Sequence, residues 1–84
     1  MKFAFNTSNN EAKYEALVLG IQLCQVARAT GIHAFSDSQL IVGQVTSEYE
    51  AKEDSMRMYL KKARESASPL AEFKISHIPR SENQ

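Results

Sequence analysis

Only one cysteine occurs in the 84 residues, with two prolines, three glycines, no tryptophan and no surplus charge of either sign. Each scarcity excludes something. Cys24 has no partner for an internal disulfide, and its place in an apolar helical run marks a buried thiol rather than a nucleophile. Ten basic and ten acidic side chains cancel, which argues against a strongly basic nucleic-acid binder. No apolar run approaches membrane-spanning length, and the first residues carry no signal-peptide pattern. A soluble intracellular protein, cytoplasmic or nuclear, is therefore expected. A Gly-rich phosphate loop, zinc-ligand spacing and a nucleophile elbow are all missing, as are internal repeats and low-complexity tracts.

What is present fits one small domain, close to the size at which a single core barely suffices. The hydrophobic content, 43%, is that of a globular chain. Phe3 and Phe5 alternate with smaller neighbours and predict a strand over 2–6. Ser8 or Asn9 then caps a helix on which Tyr14, Leu17, Val18, Ile21 and Cys24 recur. Ala12, Ala16, Leu19, Leu23 and Ala27 widen its apolar face, so the helix reads as well covered. It is expected to stop near Thr30-Gly31, with glycine as the left-handed terminal residue. The run 32–36 reads as a buried strand, 38–46 as a short helix weakened by Gly43, and 54–67 as a third helix closed by Pro69. A last strand follows, with Phe73, Ile75 and then His77 or Ile78 inward, ending at Pro79. The order β-α-β-α-α-β predicts an α/β layer structure with parallel strands. A sheet this small reads as part of a domain.

Asp37 ends a buried strand, where α/β proteins tend to place functional groups, although it could equally cap the helix that follows. Glu11 and Glu15 share a helical face and read more simply as a dipole partner and a surface charge. His33 and His77 lie in strands, where packing or hydrogen bonding is the commoner fate. The basic stripe Arg57, Lys61, Lys62 and Arg64 is ordinarily a solvated face, with a weak phosphate contact as the alternative. Residue chemistry alone makes Asp37 the best candidate and assembles no complete catalytic set around it.

Five blocks run in order over nearly the whole chain: F-N-T-S-N-N-E-A-K-Y-E-A-L, F-S-D-S-Q-L-I-V-G-Q-V, S-E-Y-E-A-K, Y-L-K-K-A-R and H-I-P-R-S-E-N-Q. Together they resemble the ribonuclease H domain of plant Gypsy-type LTR retrotransposon polyproteins. The short loops are similar to the reverse-transcriptase-like subgroup, which lacks the basic handle of some bacterial relatives. The resemblance implies a partial ribonuclease H-like fold that begins at the third family strand and stops before the C-terminal helix. It also implies an activity, magnesium-dependent cleavage of RNA in RNA–DNA hybrids by four carboxylates holding two metal ions.

Carried over residue by residue, Asn9-Asn10-Glu11-Ala12-Lys13 lies on N-N-x-x-E, so Lys13 stands where the family has its glutamate. Glu11 is two positions away, on another helical azimuth. Asp37 lies on the aspartate of D-S-Q, which makes it the retained family carboxylate, a catalytic candidate and a residual metal ligand. The first-strand aspartate and the one beyond E-N-x-x-A-D have no counterpart here. Asn9, Asn10 and Gln39 match positions along the hybrid's minor groove, where shape and 2′-hydroxyls are read. The plainer reading makes the asparagines helix caps and Gln39 solvent-facing.

The expectation is a catalytically incompetent domain with no bound magnesium and weak hybrid binding. One alternative is a self-associating or protein-binding module, and another an enzyme completed in trans by a partner. Family sheet order sets the missing first strand between 2–6 and 32–36. Either 2–6 moves across to pair with 32–36, or chains meet through that edge as a homodimer or higher oligomer. Lys13 is expected beside Asp37 in a partly exposed ion pair worth about 0–1 kcal/mol. The competing arrangement turns Lys13 to solvent and recruits Glu11 or Glu15 as a ligand.

Overall fold

The computed structural model describes residues 1–5 and 9–79. Asn6 in the first expected strand, Ser8 as a possible cap and the tail from Arg80 onward lie outside the described residues. The elements run β1 (Lys2–Phe5), α1 (Asn10–Val26), β2 (Gly31–Ser36), α2 (Gln39–Val45), α3 (Asp54–Ala67) and β3 (Glu72–His77). Their order matches the hydrophobic periodicity. The three strands form one parallel sheet, β1-β2-β3.

The sheet resolves the choice posed by the sequence. Strand β1 pairs directly with β2, from Lys2 opposite His33 to Phe5 opposite Ser36, and β3 pairs along the other side of β2. Residues 32–36 are therefore central and fully laddered. The expected unpaired edge along them does not exist, because the first strand occupies it.

Parallel neighbours need crossover connections, and right-handed crossovers that step steadily in one direction place their helices on one face. All three helices accordingly pack with one another and on the same side of the sheet. Ile32, Ala34 and Ser36 point into that layer and are buried, as is Ile75 from β3. From α1 come Tyr14, Leu17, Val18, Ile21 and Cys24, from α2 Ile41 and Val42, and from α3 Met56, Leu60 and Ala63. Cys24 is a free, buried thiol.

On the other face of the sheet His33 stacks on Phe35, ring centroids 4.1 Å apart, and its Nε2 lies 2.8 Å from Ser76 Oγ. Burial of the ring, then the Lys74 and Lys2 ammonium groups, hold His33 below the usual histidine range.

Two features of α1 differ from the sequence-based expectation. The helix stops at Val26, and the left-handed residue after it is Arg28 (φ 64°), with Gly31 already in β2. Arg28 N–H donates to Gln25 O at 2.8 Å and Ala29 N–H to Cys24 O at 3.0 Å, which satisfies the orphan carbonyls whatever the side chain. The same closure follows α2, with Ser47 (φ 71°) left-handed and Glu48 N–H donating to Gly43 O. Second, Leu19, Leu23 and Ala27 do not widen the buried face; they are exposed on the far side of the helix. Gly43 is more than a weak spot in α2: a Cβ there would lie under 3 Å from the Tyr49 ring, so its absence lets the loop fold back.

A polar network crosses this core. The fully buried Tyr14 hydroxyl donates to Gln44 Oε1 at 2.6 Å, while Arg64 donates to Gln44 O at 3.2 Å and to Ser47 Oγ at 2.9 Å. Burial pushes the Tyr14 hydroxyl from 10.0 up to about 12, against a smaller opposing effect of the Arg64 guanidinium. The unfolded chain releases this proton at lower pH than the folded one. Its contribution to stability is thus intact below pH 10 and lost as pH rises toward 12. Tyr14→Phe should cost about 1–3 kcal/mol at neutral pH, because Gln44 Oε1 loses its donor in a dry site. Urea unfolding through the alkaline range checks both points: the variant should also lose part of the wild-type decline in midpoint.

Candidate functional site

Because the three strands are parallel, their C-terminal ends lie at one end of the sheet, beside the starts of α1 and α2. Asn9 caps α1, its Oδ1 accepting from Ala12 N–H at 2.8 Å, and Asn10 is the first helical residue. The turn after β2 carries Asp37. Ser38 caps α2, its Oγ accepting from Ile41 N–H at 3.2 Å, and Gln39 opens that helix, exposed. The capping role open to Asp37 is thus taken by its neighbour. Ser36 fixes the turn from inside, its buried Oγ accepting from Ser38 N–H at 3.0 Å.

Lys13 reaches across from the first turn of α1 and sets Nζ 3.4 Å from Asp37 Oδ1. This contact ties α1 to the β2–α2 turn and brings Asn9, Asn10 and Gln39 to the same end of the sheet. The two side chains are 13% and 12% exposed, drier than the partly exposed pair expected from the sequence. A separation of 3.4 Å is long for a charge-assisted hydrogen bond, so the attraction is chiefly Coulombic.

Neither glutamate joins them. Glu11 is exposed at the start of α1, and Glu15 accepts from the Tyr59 hydroxyl at 3.4 Å. Burial first, then the two glutamates and that hydrogen bond, raise the Tyr59 hydroxyl above its ordinary value. His77 ends β3 and is exposed. Arg57 pairs with Asp54 within α3, and Arg64 turns into the Gln44 network, so the basic stripe of α3 is partly committed to the fold.

A magnesium pair requires several carboxylate oxygens around shared ions. Among the described residues no three His, Cys, Asp or Glu side chains converge in a way that could hold an ion. The carboxylate that could contribute faces an ammonium group. These donors do not fit a magnesium site.

Sequence reasoning missed the Tyr14–Gln44–Arg64 network. Its signal was Gln44, a polar residue among the apolar positions of a short helix, where burial demands a partner.

The whole chain, residues 1–84, matches the family model described as reverse transcriptase-like. Ribonuclease HI of Halobacterium salinarum is 29% identical over 77 residues, which cover 92% of this chain and 39% of that protein. The crystal structure of RNase H1 from the same halophilic archaeon superposes with a TM-score of 0.83 at 28% identity, covering 88% of this chain and 56% of that one. The N-terminal RNase H domain of a Mycobacterium tuberculosis protein gives 0.84 at 26% identity, with 92% and 55% covered. LC11-RNase H1, solved in complex with an RNA/DNA hybrid, gives 0.79 at 28% identity, with 92% and 59% covered. The chain thus spans little more than half the length of these solved structures, and less of the curated relative.

The ion pair makes a stability prediction. A double-mutant cycle of Lys13→Met and Asp37→Asn, followed by urea unfolding, should return a coupling of about 1 kcal/mol, the upper end for solvated pairs. A coupling near zero would mean that the two groups do not hold each other.

Proposed function

Because the chain belongs to the reverse transcriptase-like family and folds as a ribonuclease H-like domain, we propose that it is a retrotransposon-derived hybrid-binding remnant without cleavage chemistry. The five sequence blocks support an origin in a plant Gypsy-type polyprotein, and such a chain would work in the cytoplasm or nucleus. The observation that carries the reading is the ammonium of Lys13, 3.4 Å from Asp37. Hydrolysis with two metal ions needs the attacking and leaving oxygens clamped by cations held on several carboxylates. Here the matching carboxylate is already neutralised by a side chain that has hydrogens to donate and no site to offer a water molecule.

Hybrid binding is the part of the family activity that the remaining residues support. Asn9 and Asn10 begin α1 and Gln39 begins α2, and their amide chemistry suits the 2′-hydroxyls and base edges of a wide minor groove. With Asn9 also capping α1, and no net charge on the chain, the grip is weak and falls with salt.

Incubation of the 84-residue chain with a labelled RNA–DNA hybrid, in magnesium or manganese, should yield no cleavage. Anisotropy at low salt should show weak binding that Asn10→Ala with Gln39→Ala removes. Lys13→Glu should raise manganese affinity at Asp37, seen as saturable NMR broadening around residues 13 and 37, still without cleavage. Metal-dependent cleavage that co-purifies with the wild-type chain and vanishes in Asp37→Asn would overturn the reading.

A further inference from the structure

Helix α1 is apolar on two opposite sides. With 3.6 residues per turn, Tyr14, Leu17, Ile21 and Cys24 face the sheet and α3, while Ala12, Ala16, Leu19, Leu23 and Val26 lie along the other side, the half-buried Ala16 also touching the edge of the core. These last five recur at intervals of four, three, four and three residues, the seam spacing of helices that pair side by side. Leu19 is 55% exposed, Leu23 60% and Val26 81%, and none belongs to the core. A surface helix ordinarily keeps that side polar.

We propose that this face is the interface of an antiparallel homodimer, α1 of one copy lying along α1 of the next. The seam itself selects a second copy, because it tapers. Its first half carries alanines, its middle Leu19, and its second half Leu23 and Val26. Laid antiparallel about a two-fold axis beside the midpoint of Leu19 and Leu23, it meets its own complement. Leu19 then packs on the partner's Leu23, and Ala16 receives the partner's Val26. A parallel copy would set alanine against alanine at one end and crowd Leu23 and Val26 at the other.

The charges run the same way. Exposed Glu11 and Glu15 flank the first half of the seam, and Tyr59 holds the Glu15 carboxylate from behind. The last turn of α1 has no basic residue, so exposed Arg28, just beyond it, is the cation at that end. Antiparallel packing brings Glu15 toward the partner's Arg28, opposes the two helix dipoles, and makes every contact twice by symmetry. One pair of helices of this length forms a small interface, so dissociation in the micromolar range is expected.

Sedimentation equilibrium of the 84-residue chain, from low to high micromolar, tests the proposal. A reversible dimer is expected. Leu19→Lys and Leu23→Glu should each weaken it about tenfold or more, with circular dichroism and urea midpoints unchanged because both side chains already face water. Glu15→Arg and Arg28→Glu should each weaken it, and the two together should restore most of the affinity. A monomer at high micromolar concentration would overturn the association. A dimer indifferent to the leucine changes would move the interface elsewhere, for instance to the open sheet face. A charge swap without recovery would overturn the antiparallel setting.

Discussion

Hydrogen bonding on both sides of β2 is the constraint on which the rest of the structure depends. A central strand of alternating buried residues, Ile32, Ala34 and Ser36, is stable only when neither edge is left open and one face is roofed. Because both neighbours run parallel, each must be reached by a crossover, and the crossovers carry α1, α2 and α3 to the same face. That single roof explains why the core is one layer deep. It also explains why the sheet ends, the helix starts and the candidate site coincide.

At that site a covalently attached cation faces a carboxylate. An ammonium group and a divalent ion both offset the charge of Asp37, but their chemistry differs. The ammonium is tethered, needs no free ion in solution and donates hydrogen bonds. It cannot bind water as a ligand or lower that water's pKa. The pair therefore serves the geometry of the end of the sheet, by clasping α1 to the β2–α2 turn. Side chains only 12–13% exposed make the clasp stronger than a typical surface pair, though its 3.4 Å length limits the gain.

Much of this was legible in the sequence because the relevant signals are local. The 3.6-residue and two-residue periods set element type, and the family resemblance carried by N-N-E-A-K and S-D-S-Q implied the meeting of Lys13 and Asp37 that the structure shows. Non-local signals were not legible. Strand β1 could take either side of a choice that only long-range pairing decides. The end of α1 was misplaced because glycine is the usual left-handed residue, whereas Arg28 and Ser47 accept that conformation to complete the backbone closure. The exposed side of α1 was assigned to the core because an apolar residue does not itself report which way it points. Nothing local named the partner of Gln44, because Tyr14 lies 30 residues away in the chain.

The all-parallel ladder has a further consequence, in time rather than in energy. No two strands of this sheet are joined by a hairpin, so no local turn can zip the first pairing. Lys2 must wait for His33, and Gly31 for Glu72, with whole helices to be made in between. Every strand contact is long-range in sequence, and β1 leaves the ribosome well before its partner exists. Phe3 and Phe5 then wait for the β2 ladder through the synthesis of α1. For that interval the β1–β2 ladder cannot form, and slow pairing of the strands is the kinetic signature of the topology.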